Sequence, residues 1–382
     1  MRKNKLVRIT TIPLSLEKLL EGQLAFMSNH FEVIAVSSEK ERLERYAKKE
    51  GISCFYVKLT RKITPFMDSI AVYKLYQFLK REQPQIVHTH TPKAGIVGMM
   101  AAWLANVPIR LHTVAGLPLM EASGIKRLLL VFIERLTYRF ATKVYPNSEG
   151  LKSFIIQEKL APVQKLLVIG NGSSNGIDTQ YFSSESYDAV FKKNSRKNLG
   201  ILPQEFVFIF VGRIVKDKGI VELIDAFSAF QDKNIKLLLV GPLEQDLDPL
   251  PKATIEKMET NPKIISIGYQ DDVRPYLAIS DALVFPSYRE GFPNVVLQAL
   301  AMELPSIVSN INGCNEIIKE GFNGRIVPKK DEKALFDAMQ QLLENKSLYT
   351  TMKNNSRQSI LEKYDRIVIW EALVDEYKTF IK

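Results

Sequence analysis

The sequence predicts an α/β protein of two doubly wound, parallel-sheet domains joined near its middle. Short apolar, β-branched runs alternate with longer segments of helical periodicity, which is the rhythm of βαβ units. That rhythm lapses across residues 171–200, NGSSNGIDTQYFSSESYDAVFKKNSRKNLG, rich in Gly, Ser and Asn, and then restarts. A chain of 382 residues with 46% hydrophobic content is also too long to be comfortable around a single core. The expected domains are 1–180 and 181–364, each Rossmann-like, facing one another across a cleft, with 365–382 returning to pack on the first.

In the first half, strands are expected at 5–12, 32–37, 54–59, 86–90, 110–114, 143–148 and 166–170, each an apolar run between turn residues. In the second half they are expected at 206–212, 236–241, 264–268, 282–287, 306–310 and 324–328. Doubly wound sheets present their ligand loops at the carboxyl ends of their strands. The last helix, near 365–380, carries Ile367, Ile369, Trp370, Leu373, Val374 and Tyr377 as an apolar stripe that needs a surface to cover.

The net charge of +10 is unevenly placed. Residues 1–180 hold 26 Lys and Arg against 14 Asp and Glu, and residues 181–382 hold 26 against 28, so the whole excess is N-terminal. An anionic membrane or a phosphorylated substrate fits such a half. Nucleic acid is not expected as a partner, since no helix-turn-helix, zinc-finger or RNP-like pattern is present. The basic start, Met1 to Lys5, is followed by Arg8, Pro13, Glu17 and Lys18, which interrupt any secretory core. The nearly apolar run Ala94–Ile109 falls short of the roughly 20 residues a membrane span needs. Cys54 and Cys314, far apart and without metal-like spacing, suit a reducing compartment. The expectation is a cytoplasmic protein.

Chemistry gathers in the second half. In VGRIVKDKGI (211–220) a buried strand ends at Gly212, Arg213 and Lys218 follow on the loop, and Gly219 opens a helix. A strand–loop–helix junction with two cations suits a diphosphate. In FPSYREGFPNVVLQALAMELPSIVS (285–309), Glu290 precedes Gly291, Phe292, Pro293 and Asn294, which lead into an apolar helix. A helix N-terminus there can bind an anion or sugar hydroxyls, and Glu290 can accept two hydroxyl hydrogen bonds. Gln298 lies eight residues on, about two turns down the same face. Taken singly, each of these residues reads as a solvated loop or surface residue; the reading rests on their convergence.

GRIVKDKG, REGFPNVVLQA and SNINGCNEII (309–318), with NSEGL (147–151), GNGSSNGID (170–178) and HTHTPKAG (88–95), resemble the retaining glycosyltransferases of family 4, of the GT-B fold and of the bacterial surface-polysaccharide type. The resemblance covers most of the chain and is tightest in its C-terminal half. It implies that Arg213 and Lys218 hold a donor diphosphate and act in catalysis with Glu290 and His112. Gly212, Glu290 and the segment Gly291–Asn294 would hold the donor, with Gly268 and Tyr269 near the base and Gln298 at the ribose. At Gln298 the family usually has a second Glu. The first-strand loop, TTIPLSLEKLLEGQ (10–23), lacks the paired glycines of many relatives. His112, in RLHTVAG, falls where relatives place a histidine beside the reacting sugar; a hydrogen-bonded histidine at a strand end is the plainer alternative.

The family works without a divalent ion, and His88 and His90 are a weak metal pair, so no cofactor is expected. The donor is expected to be a nucleotide sugar, with UDP as its nucleotide. The acceptor belongs with the basic half, where Lys93, Arg61 and His90 stand as candidates to meet it. Within MEASGIKRLLLVFIERLTYRFATK (120–143), Lys126, Arg127, Arg135 and Arg139 flank an apolar run. It can read as a helix lying on an anionic membrane or as a packed domain helix with snorkelling cations. A lipid-diphosphate-linked saccharide would satisfy both the cations and the helix, on the inner face of the cell membrane. The rivals are a nucleotide-sugar epimerase of the same fold and a non-catalytic sugar-nucleotide-binding protein. A nicotinamide enzyme is disfavoured, since no first strand is followed by G-x-G-x-x-G.

Overall fold

The computed structural model describes residues 3–60, 64–231, 234–244, 246 and 248–381. The chain forms two compact units, Met1–Gly176 with Arg366–Lys382, and Ile177–Asp365. Among the described residues each unit holds one six-stranded sheet. The first sheet is built from β1 (Lys5–Ile9), β2 (Glu32–Ser37), β3 (Ser53–Tyr56), β4 (Ile86–His90), β5 (Ile109–Val114) and β6 (Lys143–Pro146). The second is built from β7 (Phe206–Val211), β8 (Ile235–Val240), β9 (Ile264–Ser266), β10 (Ala282–Phe285), β11 (Ser306–Ser309) and β12 (Gly324–Val327).

Every pairing is parallel, and the orders are β3-β2-β1-β4-β5-β6 and β12-β11-β10-β7-β8-β9. Both are doubly wound. The order reverses between β1 and β4 in one unit and between β7 and β10 in the other, and at such a point the loops part to leave a crevice. Helices cover both faces, which is why FVFIFV, IKLLLV and ALVF are continuous apolar runs.

The apolar run after His90 forms the Pro92–Leu104 helix, buried along most of its length. Its glycines let it lie close to the sheet. A Cβ at Gly95 would stand 2.5 Å from the His112 ring and one at Gly98 2.6 Å from the Thr89 methyl. The final helix, Arg366–Thr379, belongs to the first unit, where Ile369, Trp370, Leu373, Val374 and Tyr377 are buried. Ile367, expected in that stripe, is instead 42% exposed. Trp370 meets Phe26 at 5.2 Å, and Tyr377 reaches the buried Arg8 at 2.7 Å.

One expected strand is absent. Leu166 makes a single bridge to Val144, after which the segment 167–170 leaves the sheet edge. Gly170, at φ 56°, turns the chain there; Leu166 is buried, while Leu167 is 37% exposed.

Candidate active site

The loops leaving β7 and β10 meet at the reversal point of the second sheet. Gly212, Gly241 and Gly268 follow β7, β8 and β9 in space. The Gly241 N–H donates to Gly268 O at 2.8 Å, and a Cβ at Gly241 would lie 1.8 Å from Gly212 O. No side chain fits at Gly241, which brings the turns after β7 and β8 together at the carboxyl edge of the sheet. Gly268 has φ 69°, and Tyr269 after it is 62% exposed with its hydroxyl donating to Asp271 at 3.0 Å.

Lys218 and Glu290 arrive on different loops and pair at 2.5 Å, with side chains 15% and 19% exposed. The Ser287 hydroxyl also donates to Glu290 Oε1 at 3.1 Å, and the Phe285 ring lies 6.0 Å beneath the Lys218 ammonium. Arg213, at the end of β7, pairs with Glu244 at 3.0 Å in a more open setting. Gly291 is half-buried and Phe292 and Pro293 are buried. Pro293 stands at the N-cap of the Asn294–Ala301 helix. Gln298 is half-buried one turn beyond Asn294.

Sequence reasoning missed four contributors here. The Asn312 amide donates to Gly291 O at 3.0 Å and to Glu290 O at 3.4 Å, fixing the course of that loop. Next to it Gly313, at φ 77°, would set a Cβ 2.5 Å from Gly291 O. Asn-Gly inside SNINGCNEII was the available signal, a pair that favours tight turns. Glu244 and Ser287 carried no local signal, because only the fold brings them to Arg213 and Glu290.

The reversal point of the first sheet is built differently. The Thr11 and Thr91 hydroxyls share a hydrogen bond of 2.7 Å across it, and Thr91 holds φ 89°, an uncommon state for a β-branched residue. Lys93, on the first turn of the Pro92–Leu104 helix, pairs with Asp68 at 2.5 Å and is 10% exposed. His90 is buried with no hydrogen-bond partner on either ring nitrogen, and burial pushes its pKa down to about 3. His88 is also held neutral, by burial and then by Arg8, whose Nη1 lies 2.5 Å from His88 Nδ1. Arg61, named with these residues from sequence, lies outside the described residues, as does Lys62.

The placement of His112 corrects its expected role. It stands inside β5, 2% exposed, with Nδ1 2.8 Å from the Thr89 hydroxyl and its ring under Gly95. Burial pushes its pKa down to about 4. Alternation along the strand turns the ring beneath the helix, away from the strand's carboxyl end, where Ala115 and Gly116 stand. Such a histidine is a packed, hydrogen-bonded core group.

The segment 120–143 forms the Gly124–Phe140 helix. Ile125, Leu128, Leu129 and Phe132, spaced for one helical face, are 86%, 70%, 43% and 63% exposed, while Glu134, Thr137 and Tyr138 are buried beneath. Lys126, Arg135 and Arg139 are exposed. Arg127 differs from the other three: it pairs with Glu158 at 2.7 Å and donates to Leu119 O at 3.1 Å, so its charge is answered within the unit. Lys165 donates to the carbonyls of Tyr138, Arg139 and Ala141, closing the helix's C-terminus. The Pro65–Glu82 helix, which packs on the other side of the Pro92–Leu104 helix, exposes Phe66 and Tyr73, by 78% and 60%. Among the described residues no helix is long and apolar enough to cross a membrane.

Comparison with known proteins identifies the family. Residues 191–359 match the family described as glycosyl transferases group 1, and residues 23–172 match the glycosyl transferase 4-like domain. The capsular polysaccharide biosynthesis glycosyltransferase CapM of Staphylococcus aureus is 34% identical over 385 aligned residues, covering 100% of this chain and 99% of its own. An Escherichia coli UDP-Gal:alpha-D-GlcNAc-diphosphoundecaprenol alpha-1,3-galactosyltransferase is 28% identical, covering 98% and 97%. In fold, the chain matches Anabaena HepE in complex with UDP-glucose at a TM-score of 0.82, with 18% identity over 98% and 100% of the two chains. The chain thus belongs to the family 4-type glycosyltransferases of the GT-B fold that work in surface-polysaccharide synthesis.

Proposed function

We propose that this glycosyltransferase takes a sugar from UDP, retains its anomeric configuration, and passes it to a saccharide carried on a lipid diphosphate. The observation that carries the donor half is the Lys218–Glu290 pair at the reversal point of the second sheet, beside the Gly291–Asn294 turn. As the bond to the diphosphate breaks, negative charge grows on the leaving phosphate and positive charge on the sugar ring. Lys218 and Arg213 are placed to meet the first and Glu290 the hydroxyls of the second, so prearranged charge, with no divalent ion, supplies the stabilisation. A diphosphate would compete with Glu244 for Arg213. Gly268 and Tyr269 follow β9, two strands further along, and would stand toward the base, and Gln298 would meet the ribose.

The acceptor half rests on the first unit. The Thr91 turn and Lys93, at the positive end of the Pro92–Leu104 helix, suit an acceptor phosphate, with neutral His90 beside them. The E. coli relative's name pairs a UDP-sugar with a sugar–diphosphoundecaprenol, the same two classes of substrate. The exposed apolar row from Ile125 to Phe132, with Lys126, Arg135 and Arg139, supports peripheral attachment to the anionic inner face of the cell membrane.

Transfer from labelled UDP-sugars to a polyprenyl-diphosphate saccharide, with NMR of the product, tests the reading. Retention at the anomeric carbon is expected, and inversion, epimerised donor or donor binding without transfer would overturn it. On vesicles, replacing Lys126, Arg135 and Arg139 with Gln should release the protein from anionic lipid, with about 1 kcal/mol lost per cation. Arg127→Gln alone should do less.

A further inference from the structure

Lys218 and Glu290 sit on loops that follow different strands, yet both must face the same ligand. Their own ion pair cannot be what keeps the loops in register during catalysis, because a diphosphate that draws on Lys218 weakens its bond to Glu290. Something that does not touch the donor has to hold them.

Tyr288 stands at that junction. Its backbone N–H donates to Asp217 O at 2.9 Å, one residue before Lys218. Its hydroxyl donates to the Glu222 carboxylate, whose oxygens lie 2.6 and 2.7 Å away. Glu222 is in the first turn of the Ile220–Ser228 helix, which opens directly after Gly219. The Lys330 ammonium lies 4.7 Å above the Tyr288 ring. Gly219 closes the other side of the joint: at φ 72° it lies so near the β10 loop that a Cβ would be 2.1 Å from Pro286 O. Arg289 and Asp217 add an ion pair at 2.9 Å, in which the Arg289 side chain is 49% exposed and so contributes little. The hydroxyl–carboxylate bond is partly sheltered and charge-assisted, which makes it the strongest of these links.

We propose that Tyr288 is a positioning residue for the donor clamp. It fastens the loop carrying Glu290 to the helix that follows Lys218, so that the two groups keep their spacing when the diphosphate enters. This rests on the reading of Lys218 and Glu290 as donor-binding. The residue acts on the part of the donor beyond the first phosphate, and a nucleoside monophosphate should be indifferent to it.

Calorimetric titration of UDP and UMP on the wild type, Tyr288→Phe, Tyr288→Ala and Glu222→Gln tests this. Tyr288→Phe keeps the ring and its packing and removes one charge-assisted bond, so UDP should bind about tenfold more weakly. UMP affinity should hold. Glu222→Gln, which keeps an acceptor for the hydroxyl, should recover most of the wild-type UDP:UMP ratio. An unchanged ratio in Tyr288→Phe overturns the proposal. So does a fall in thermal stability in Tyr288→Ala with the ratio intact, which would make the residue merely structural. A wild type that fails to bind UDP removes the donor reading itself, an outcome separate from either.

Discussion

The two sheets of this protein share one strand order and use it differently. At the reversal point of the second sheet, charged groups sit on loops: Lys218 against Glu290, with Arg213 against Glu244 nearby. At that of the first, hydroxyls and a sheltered Lys93 stand at the surface, and the titratable groups below, Arg8, His88, His90 and His112, are buried. One topology therefore yields paired charges on loops in one unit and a floor of buried titratable groups in the other. The difference suits ligands of different kinds, since a small diphosphate is gripped by charges that can exchange partners. Under the proposed function, a saccharide on a long lipid would ask the first unit for a shaped edge and an exposed apolar helix face.

Exchanging the lysine in each unit should separate these roles. Lys218→Ala removes a cation from the site of developing phosphate charge, and turnover should fall by roughly 10²-fold or more, as for other preorganised stabilisers. Lys93→Ala should instead raise the acceptor KM while leaving UDP affinity as it was. Steady-state kinetics with each substrate varied in turn reads both. If Lys93→Ala weakens UDP binding as much as Lys218→Ala does, the division of labour between the units fails.

Residues adjacent in sequence made the second site readable. GRIVKDKG and REGFPN each place strand end, loop and helix start within a dozen residues, and local chemistry survives folding there. Contacts made by fold alone stayed hidden: Tyr288 with Glu222, Glu244 with Arg213, and Asn312 with the Gly291 carbonyl. His112 was misjudged for a related reason. A parallel sheet is buried on both faces, so the apolar pattern of β5 does not say which way a polar side chain points. At 166–170 the apolar pattern was sound but the residues had only the β6 edge to pair with, and Gly170 ended the approach.

The first unit should also carry a pH signature below neutrality. Glu134, on the inner face of the Gly124–Phe140 helix, is 4% exposed, and burial raises its carboxyl to about 7. The unfolded chain ionises at the ordinary 4.5 while the folded protein stays neutral there. Stability from this group is full below about pH 4.5, declines as pH rises toward 7, and then levels off, for a total loss on the order of 3 kcal/mol. Glu134→Gln should remove that decline, so its melting temperature should exceed the wild type's at pH 8 and approach it at pH 4.5. A variant that tracks the wild type at both pH values would show the carboxyl to be solvated.

The smallest effect expected concerns the second unit's own departure from its family. Gln298 is half-buried on the Asn294–Ala301 helix, one turn past Asn294, at the position where the family resemblance implies a glutamate for the ribose hydroxyls. An amide accepts through one oxygen and carries no charge, whereas a carboxylate accepts through two and forms hydrogen bonds roughly twice as strong. The gain is offset by the cost of partly desolvating a new charge and by repulsion from a diphosphate in the same site. Gln298→Glu should therefore tighten UDP by only about two- to fivefold, well within one charge-assisted bond. The gain should vanish with a 2′,3′-dideoxyuridine diphosphate, which has no ribose hydroxyls to donate. Tighter binding of both nucleotides would place the residue elsewhere than the ribose, and weaker UDP binding would show that the pocket around the amide has been reshaped to need its N–H.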